Sequence, residues 1–488
     1  MVAVVSSVCC PQEAQIGPGD RLPRAQREVR AAWVATVANI DWPSRPGLSV
    51  AKQKRELDAI LDRARDLRLN LLIFQVRPMC DAFYLSSFEP WSEWLTGVQG
   101  KAPEPPWDPL LHAVSGAHAR GLELHAWFNP FRARHEDAQS LLDRMHPARR
   151  MRRSTVTYGK QVWLDPGSSA SREHSLRVIL DVVRRYDIDG VHLDDYFYPY
   201  PLKGKDFPDD RTWRRYVGEG GSMSRGEWRR ANIDTFISSL HTAIKKSKRW
   251  VKLGISPFGI ARPGMPRGIE AGVDQYEQLY ADPAKWLAKG WCDYIAPQLY
   301  WPIGKKTQSY PVLLEWWARQ NPLGRHVWPG NLTSKVGSSA VWSAGELVNQ
   351  IAVTRATDGV SGNLHFSMRA LRDTPAGIGG VLARGVYREP ALVPPSPWLD
   401  GVAPRSPSLR VLGRPDRVFS WSIDPDVRIW AVYLERAGEW DLVATLPAET
   451  CEFRLSDKLR QQQRITAFAV SGVDRCGNES EPTVQPLR

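Results

Sequence analysis

Two aspartates stand side by side in DGVHLDDYFYPYP (residues 189–201), after an apolar run and ahead of a cluster of aromatic rings and prolines. Like charges at contact distance repel, so one of two adjacent carboxyls normally has its pKa raised. A neutral carboxyl beside a charged one is the pairing that acid-assisted cleavage of an acetal requires: one group protonates the leaving oxygen, and the other acts as base or nucleophile. Asp194 and Asp195 are therefore the catalytic candidates, with Asp194 leading. The bland alternative is that one of them caps the following loop. Asp41, Asp81, Glu270 and Asp274 are further carboxylates that could take the second role.

Such a pair works only if the fold brings polar partners to it. From residue 27 to about 387, short apolar runs alternate with helical patterns, as in successive βα units over a parallel sheet. Eight strand candidates stand out: residues 31–37, 69–77, 122–130, 189–196, 251–258, 293–301, 326–332 and 362–367. Between them lie amphipathic stretches such as AKQKRELDAILDRARDL, with apolar Leu57, Ile60, Leu61 and Ala64 on one face. Helices return to the next strand through short links, whereas strands two to five are followed by long Pro-, Gly- and Trp-rich excursions. The long loops thus share one end, as at the mouth of a (β/α)8 TIM barrel. No GxGxxG or GxxxxGK[ST] fingerprint supports a doubly wound nucleotide-binding sheet.

Strand side chains alternate between the two faces. With the apolar parity set against the helices, the inward set is Gln75 and Arg77, then His125, Trp127 and Asn129, then His192 and Asp194, then Gln298 and Tyr300, then Asn363, His365 and Ser367. A barrel built only for stability fills such positions with Val, Ile and Leu. Aromatics such as Tyr196, Tyr198, Tyr200 and Trp301 follow the strand ends. Rings for apolar sugar faces, with planar donors and acceptors for hydroxyls, describe a carbohydrate cleft. A structural network in the barrel interior is the plain alternative. A metal centre from His125, His192, His365 and the aspartates also competes, although no HExxH occurs; no metal and no cofactor is expected.

The formal charge is +12, and Arg149, Arg150, Arg152 and Arg153 cluster locally, as a solvated loop or as a contact for an anionic polymer. No zinc-finger spacing or RNP pattern makes nucleic acid a partner. No apolar run approaches the roughly 20 residues that span a bilayer. The six cysteines lack metal spacing; Cys451 and Cys476 could pair, because both fall near the C-terminus. Residues 1–26 read as a tail, MVAVVSSVCCPQEAQ being an ambiguous remnant of an export signal. Residues 388–403 are expected as an extended linker, with six prolines in the 21 residues from Tyr387 to Pro407. Residues 404–488 carry short alternating strands around Trp421, which predict an all-β sandwich. The succession FSWS, WAVYLER, DLVAT and FAVSGVDRCGNES resembles a fibronectin type III domain.

The blocks REVRAAWVATVANIDWPS, LIFQVRPMCDAFY, EPWSEWLTG, GLELHAWFNPFRAR, DGVHLDDYFYPYP, GISPFGIARPG and DYIAPQLYWPI together resemble the glycosyl-hydrolase-like 10 family of bacterial envelope proteins. The resemblance implies a (β/α)8 glycosidase-like barrel acting on peptide-free peptidoglycan glycan strands, in the periplasm or outside the cell; a monomer is expected. It places Asp194 and Asp195 in the family's acidic motif, and Arg77, His125, Asn129, Gln298 and Tyr300 in its cleft motifs. Hydrolysis of another polysaccharide, and glycan binding without turnover, remain the alternative functions. The chitinase-type pattern DGxDxDxE is only partly echoed: His192 replaces the middle Asp, and Tyr196 stands where the acid Glu would be. Retaining, inverting and substrate-assisted routes therefore all stay open.

Overall fold

The computed structural model describes residues 23–373, 377–413 and 416–487; the first 22 residues of the expected tail, with Cys9 and Cys10, lie outside them. All eight expected strands form, as Val29–Val34, Leu71–Arg77, Glu123–Phe128, Gly190–Leu193, Lys252–Ile255, Tyr294–Ile295, a seventh in two pieces, and Gly362–His365. The pieces of the seventh, His326–Val327 and Gly330–Asn331, flank Pro329, which has no N–H for a ladder. The first piece pairs with strand six and the second with strand eight, so the parallel sheet closes on itself.

Helices cover the outside because their sequences present one apolar stripe. Val50–Asp66 starts where Ser49 accepts from the Lys52 amide, and buries Leu57, Ile60, Leu61 and Ala64. Ser169–Arg185 buries Val178, Ile179, Val182 and Val183 against the sheet. Arg225–Ser247 opens on a capping box of Ser224 and Glu227.

The barrel interior mixes rings with polar groups. Tyr294 is its centre: its hydroxyl lies 2.9 Å from Nδ1 of both His125 and His192, and its ring packs on Trp328 at 4.4 Å. Gly190 and Gly254 leave the space, since a Cβ at Gly254 would fall 1.8 Å from the Tyr294 ring and one at Gly190 2.6 Å from His125. Below His125, Glu123 pairs with the buried Lys252 at 3.0 Å. Each of these groups is paired, which avoids about 1–3 kcal/mol for every polar atom otherwise buried alone.

The C-terminal strands form two antiparallel sheets. One holds Leu409–Leu412, Arg417–Trp421 and Glu452–Leu455; the other holds Ile429–Arg436, Glu439–Pro447, Ile465–Val473 and Thr483–Pro486. Trp421 and Trp430 meet in the core between them, 5.8 Å apart. Cys451 and Cys476 are free thiols, so the pairing left open by their positions does not occur.

The proline-rich segment is extended, as expected, but it is no free tether. Ala391, Leu392, Val393 and Leu399 are buried, and Val393 belongs to the cluster inside the barrel. Leu392 exchanges backbone hydrogen bonds with Gln26 and Glu28, Ser396 donates to the Cys476 carbonyl, and Trp398 donates to Asp293. Arg27 pairs with Glu479, and Arg475 with Asp187 at 2.9 Å. These contacts all lie where the strands begin, so the sandwich caps the base of the barrel. Asp189 belongs to this end as well: it accepts from His118 and the Leu124 amide, and Arg428 lies 3.8 Å away.

Candidate active site

Strand four ends at Leu193, and the chain then turns across the barrel mouth through Asp194 and Asp195. The Asp194 carboxylate accepts from Asn129 Nδ2 at 3.1 Å and from the Asp195 amide at 2.9 Å. Asn129 is itself fixed: its Oδ1 accepts from Gln75 Nε2 at 2.7 Å, and Gln75 Oε1 accepts from the Thr36 and Val37 amides at 2.9 Å each. A chain of amides from strands one, two and three thus aims one donor at one carboxylate.

Asp195 accepts from the hydroxyl of Tyr200. Burial first, and then the neighbouring Asp194 charge, push its pKa well above the usual carboxylate range. The two groups are therefore unlike: Asp195 is pushed toward its neutral form, and Asp194 receives two donors. Tyr300 stands in the same field, and burial followed by the charges of Asp194 and Asp195 raises its pKa too. Tyr196 lies beside the pair, half-buried, with the Arg132 guanidinium 5.1 Å from its ring centre.

The structure separates the expected cleft residues into three groups. Asn129, Asp194, Asp195, Tyr196 and Tyr300 come together at the mouth. Gln298, half-exposed, follows the expected parity and donates to the Ser256 carbonyl at 2.9 Å. Gln75, His125, Trp127 and His192 do point inward, but as interior layers rather than as cleft wall. Gln75, His125 and His192 have no exposure. His192 is held by Tyr294, Ser256 and the Trp33 indole, and Trp127 stands edge-on to it at 6.3 Å. Burial holds the pKa of both His125 and His192 below the ordinary histidine value.

Arg77 and His365 are corrected. A register shift between Gln75 and Arg77 turns the arginine out of the expected parity. Its guanidinium is completely buried against Glu89, at 2.5 Å, and Glu89 also takes His174 at 2.8 Å. In strand eight the parity is reversed: Leu364 belongs to the interior cluster, with Phe366 packed on it. Asn363 instead bonds to Asn331 and Thr354, and His365 to Thr333 and Tyr387, in the layer between strand and helices. Trp301, which follows strand six, is partly exposed and packs edge-on to Phe258 at 5.7 Å.

The other carboxylates lie elsewhere. Asp41 is consumed by the Ala35 amide, the Ser367 hydroxyl and the Arg369 amide, which ties the end of strand one to the end of strand eight. Asp81 is fully buried beneath the loop after strand two, Asp274 caps the helix Gln275–Gln278, and Glu270 is exposed. His365 stands apart from the His125–Tyr294–His192 cluster, and among the described residues no group of three His, Cys, Asp or Glu is placed to hold a metal ion.

The long excursion after strand three contributes what the alternation pattern did not disclose. Arg132–Arg134, Thr155–Tyr158 and Gln161–Leu164 form a small antiparallel sheet at the rim. Between it and the loop after Asp195 lies a cavity of about 350 Å³, lined by Arg132, Tyr158, Lys160, Trp163, Tyr196 and Tyr200 among others. The hairpin TVTYGKQVWL was legible in the sequence as two alternating runs around Gly-Lys. Its position beside the acid pair was not.

Fold and kinship together define a glycoside hydrolase built on a (β/α)8 barrel. The chain belongs to the family described as Glycosyl hydrolase-like 10, which it matches over residues 28–344. It is 43% identical over 398 residues to "Glycosyl hydrolase YngK" of Bacillus subtilis (strain 168), covering 79% of this chain and 77% of that protein. It is 31% identical over 404 residues to "Glycosyl hydrolase DigH" of Escherichia coli (strain K12), covering 75% and 91%. Among solved structures, the PgaB (BpsB) glycoside hydrolase domain from Bordetella bronchiseptica aligns with a TM-score of 0.48 at 13% identity, over 75% of this chain and 97% of that one.

Proposed function

We propose that the protein cleaves glycosidic bonds within an N-acetylated polysaccharide, of the peptidoglycan glycan-strand type, in the cell envelope. The observation that carries this reading is the pairing of Asp194 with Asp195. Asp195, kept protonated by burial and by its neighbour, donates to the bridging oxygen as the bond breaks. Asp194, held by Asn129, faces the developing positive charge or directs the second reacting group. Tyr196, Tyr200 and Tyr300 supply ring faces and hydroxyls around the sugar. The peptidoglycan assignment and the envelope location rest on the resemblance in the seven sequence blocks. The three-plus-four strand arrangement of the C-terminal domain supports its likeness to fibronectin type III.

The test is incubation of purified protein with peptide-free glycan strands, chitin oligomers and plant polysaccharides. Release of shorter strands from the first substrate, abolished in Asp194→Asn and in Asp195→Asn, is the expected result. Binding without release would assign a glycan-binding role instead, and release from a plant polysaccharide alone would move the substrate class.

A further inference from the structure

Arg132 is 5% exposed, yet among the described residues it has no carboxylate within ion-pair distance. Its Nε and Nη2 donate to the Pro78 carbonyl at 3.1 and 3.0 Å, and Nη2 also reaches Asn129 Oδ1 at 3.3 Å. All three acceptor contacts are to neutral groups, and Nη1 has no acceptor among them. Other deeply buried arginines in this barrel are matched by acids: Arg77 by Glu89, Arg30 by Glu28, Arg229 by Asp209. A guanidinium taken out of water without a counter-ion is costly, and a wall of an open cavity is where an arriving anion would complete it.

The cavity has the remaining parts of a sugar site. Tyr196 and Tyr200 meet edge to face at 6.1 Å, and Tyr158 and Trp163 close the far wall from the hairpin. The Trp163 indole N–H is buried with no acceptor. Asn129 bonds to both Arg132 and Asp194, and Tyr200 both lines the cavity and donates to Asp195, so one shared residue on each side links the cavity to the acid pair. The lining also holds one acid and one base, the exposed Glu136 and Lys160.

The chain that leads into the hairpin is basic. Residues 144–164 contain Arg144, Arg149, Arg150, Arg152, Arg153 and Lys160 and no Asp or Glu. These six are exposed, and the segment runs directly into the hairpin that lines the cavity. A stretch of one sign along a cleft concentrates a polymer of the other.

We propose that the cavity beside the acid pair is a subsite for a carboxylate-bearing sugar, with Arg132 as the anion contact and the 144–160 segment drawing in the acidic strand. This rests on the glycan-cleaving reading and names the kind of sugar that one of its subsites takes.

The test compares peptide-free peptidoglycan glycan strands with the same strands after their carboxyls have been reduced to alcohols. Binding is measured with the full chain carrying Asp194→Asn, and turnover with wild type. Reduction is expected to weaken binding and raise KM by at least the order of tenfold, the share of one charge-assisted hydrogen-bonded pair. Arg132→Gln should bring the ratio between the two strands close to one. Lys160→Gln combined with Arg149, Arg150, Arg152 and Arg153→Gln should remove the salt dependence of native-strand binding while leaving reduced strands unaffected. Equal binding of native and reduced strands overturns the inference, whether or not wild type cleaves them. Carboxylate-dependent binding without cleavage upholds it and overturns the catalytic reading. Should Arg132→Gln fail to fold, the comparison of the two strands still decides.

Discussion

Asn129 donates to Asp194 from the end of strand three, 3.1 Å away, while its carbonyl oxygen is held by Gln75. Asn129→Leu removes the donor and leaves Gln75 Nε2 without an acceptor. Loss of one such preorganised donor is expected to lower kcat on glycan strands by about 10²-fold. The unpaired Gln75 should cost about 1–3 kcal/mol, read by urea denaturation.

Asp195 gives a pH prediction whose sign is fixed. Its folded pKa lies above the unfolded one, so the folded chain binds this proton more tightly. The stability it contributes is complete below about pH 4 and is lost as pH rises toward the folded pKa. Asp195→Asn, a permanent mimic of the neutral acid, is expected to melt higher than wild type at alkaline pH and no higher at acid pH. Its activity should fall by at least about 10²-fold.

Tyr200 donates to Asp195 and thereby favours its ionised form. Tyr200→Phe should move the alkaline limb of the pH–rate profile upward, since the acid then keeps its proton to higher pH. A tyrosine that only stacked on substrate would change KM and leave that limb in place.

Asp81 sits without exposure, and burial pushes its pKa up to about 7. Its stabilising protonation is full below about pH 4 and lost as pH passes through 7. Asp81→Asn should therefore raise Tm at alkaline pH only, with turnover of glycan strands unchanged, as thermal melts at several pH values would show.

Arg77 separates a structural from a cleft role. Arg77→Ala leaves the buried Glu89 with His174 alone, and breaking such a buried pair costs about 3–5 kcal/mol. Denaturation should show that loss, while KM of the folded fraction stays at the wild-type value.

The eight strands were legible because each is an apolar run followed by an amphipathic helix, and that alternation survives in almost any sequence of this fold. The place of Asp194 at the mouth was legible as well, since it follows the inward parity of strand four. Parity failed where a local event resets it. A register shift swings Arg77 outward, and strand eight carries its apolar Leu364 inside and its polar Asn363 and His365 against helices that supply Thr354 and Tyr310. Parity also gives no height along the barrel axis. His125 and His192 share a parity with Asn129 and Asp194, but sit below them around Tyr294. The counter-ion missing at Arg132 is invisible in sequence, because it depends on what other segments fail to bring near.

The buried run from Ala391 to Leu399 has a mechanical meaning. Because Leu392 and Val393 are buried at the foot of the barrel and Trp398 donates to Asp293 there, the C-terminal sandwich is anchored to the catalytic body rather than tethered to it. Sandwich and acid pair occupy opposite poles, so a surface that grips the first leaves the second facing outward.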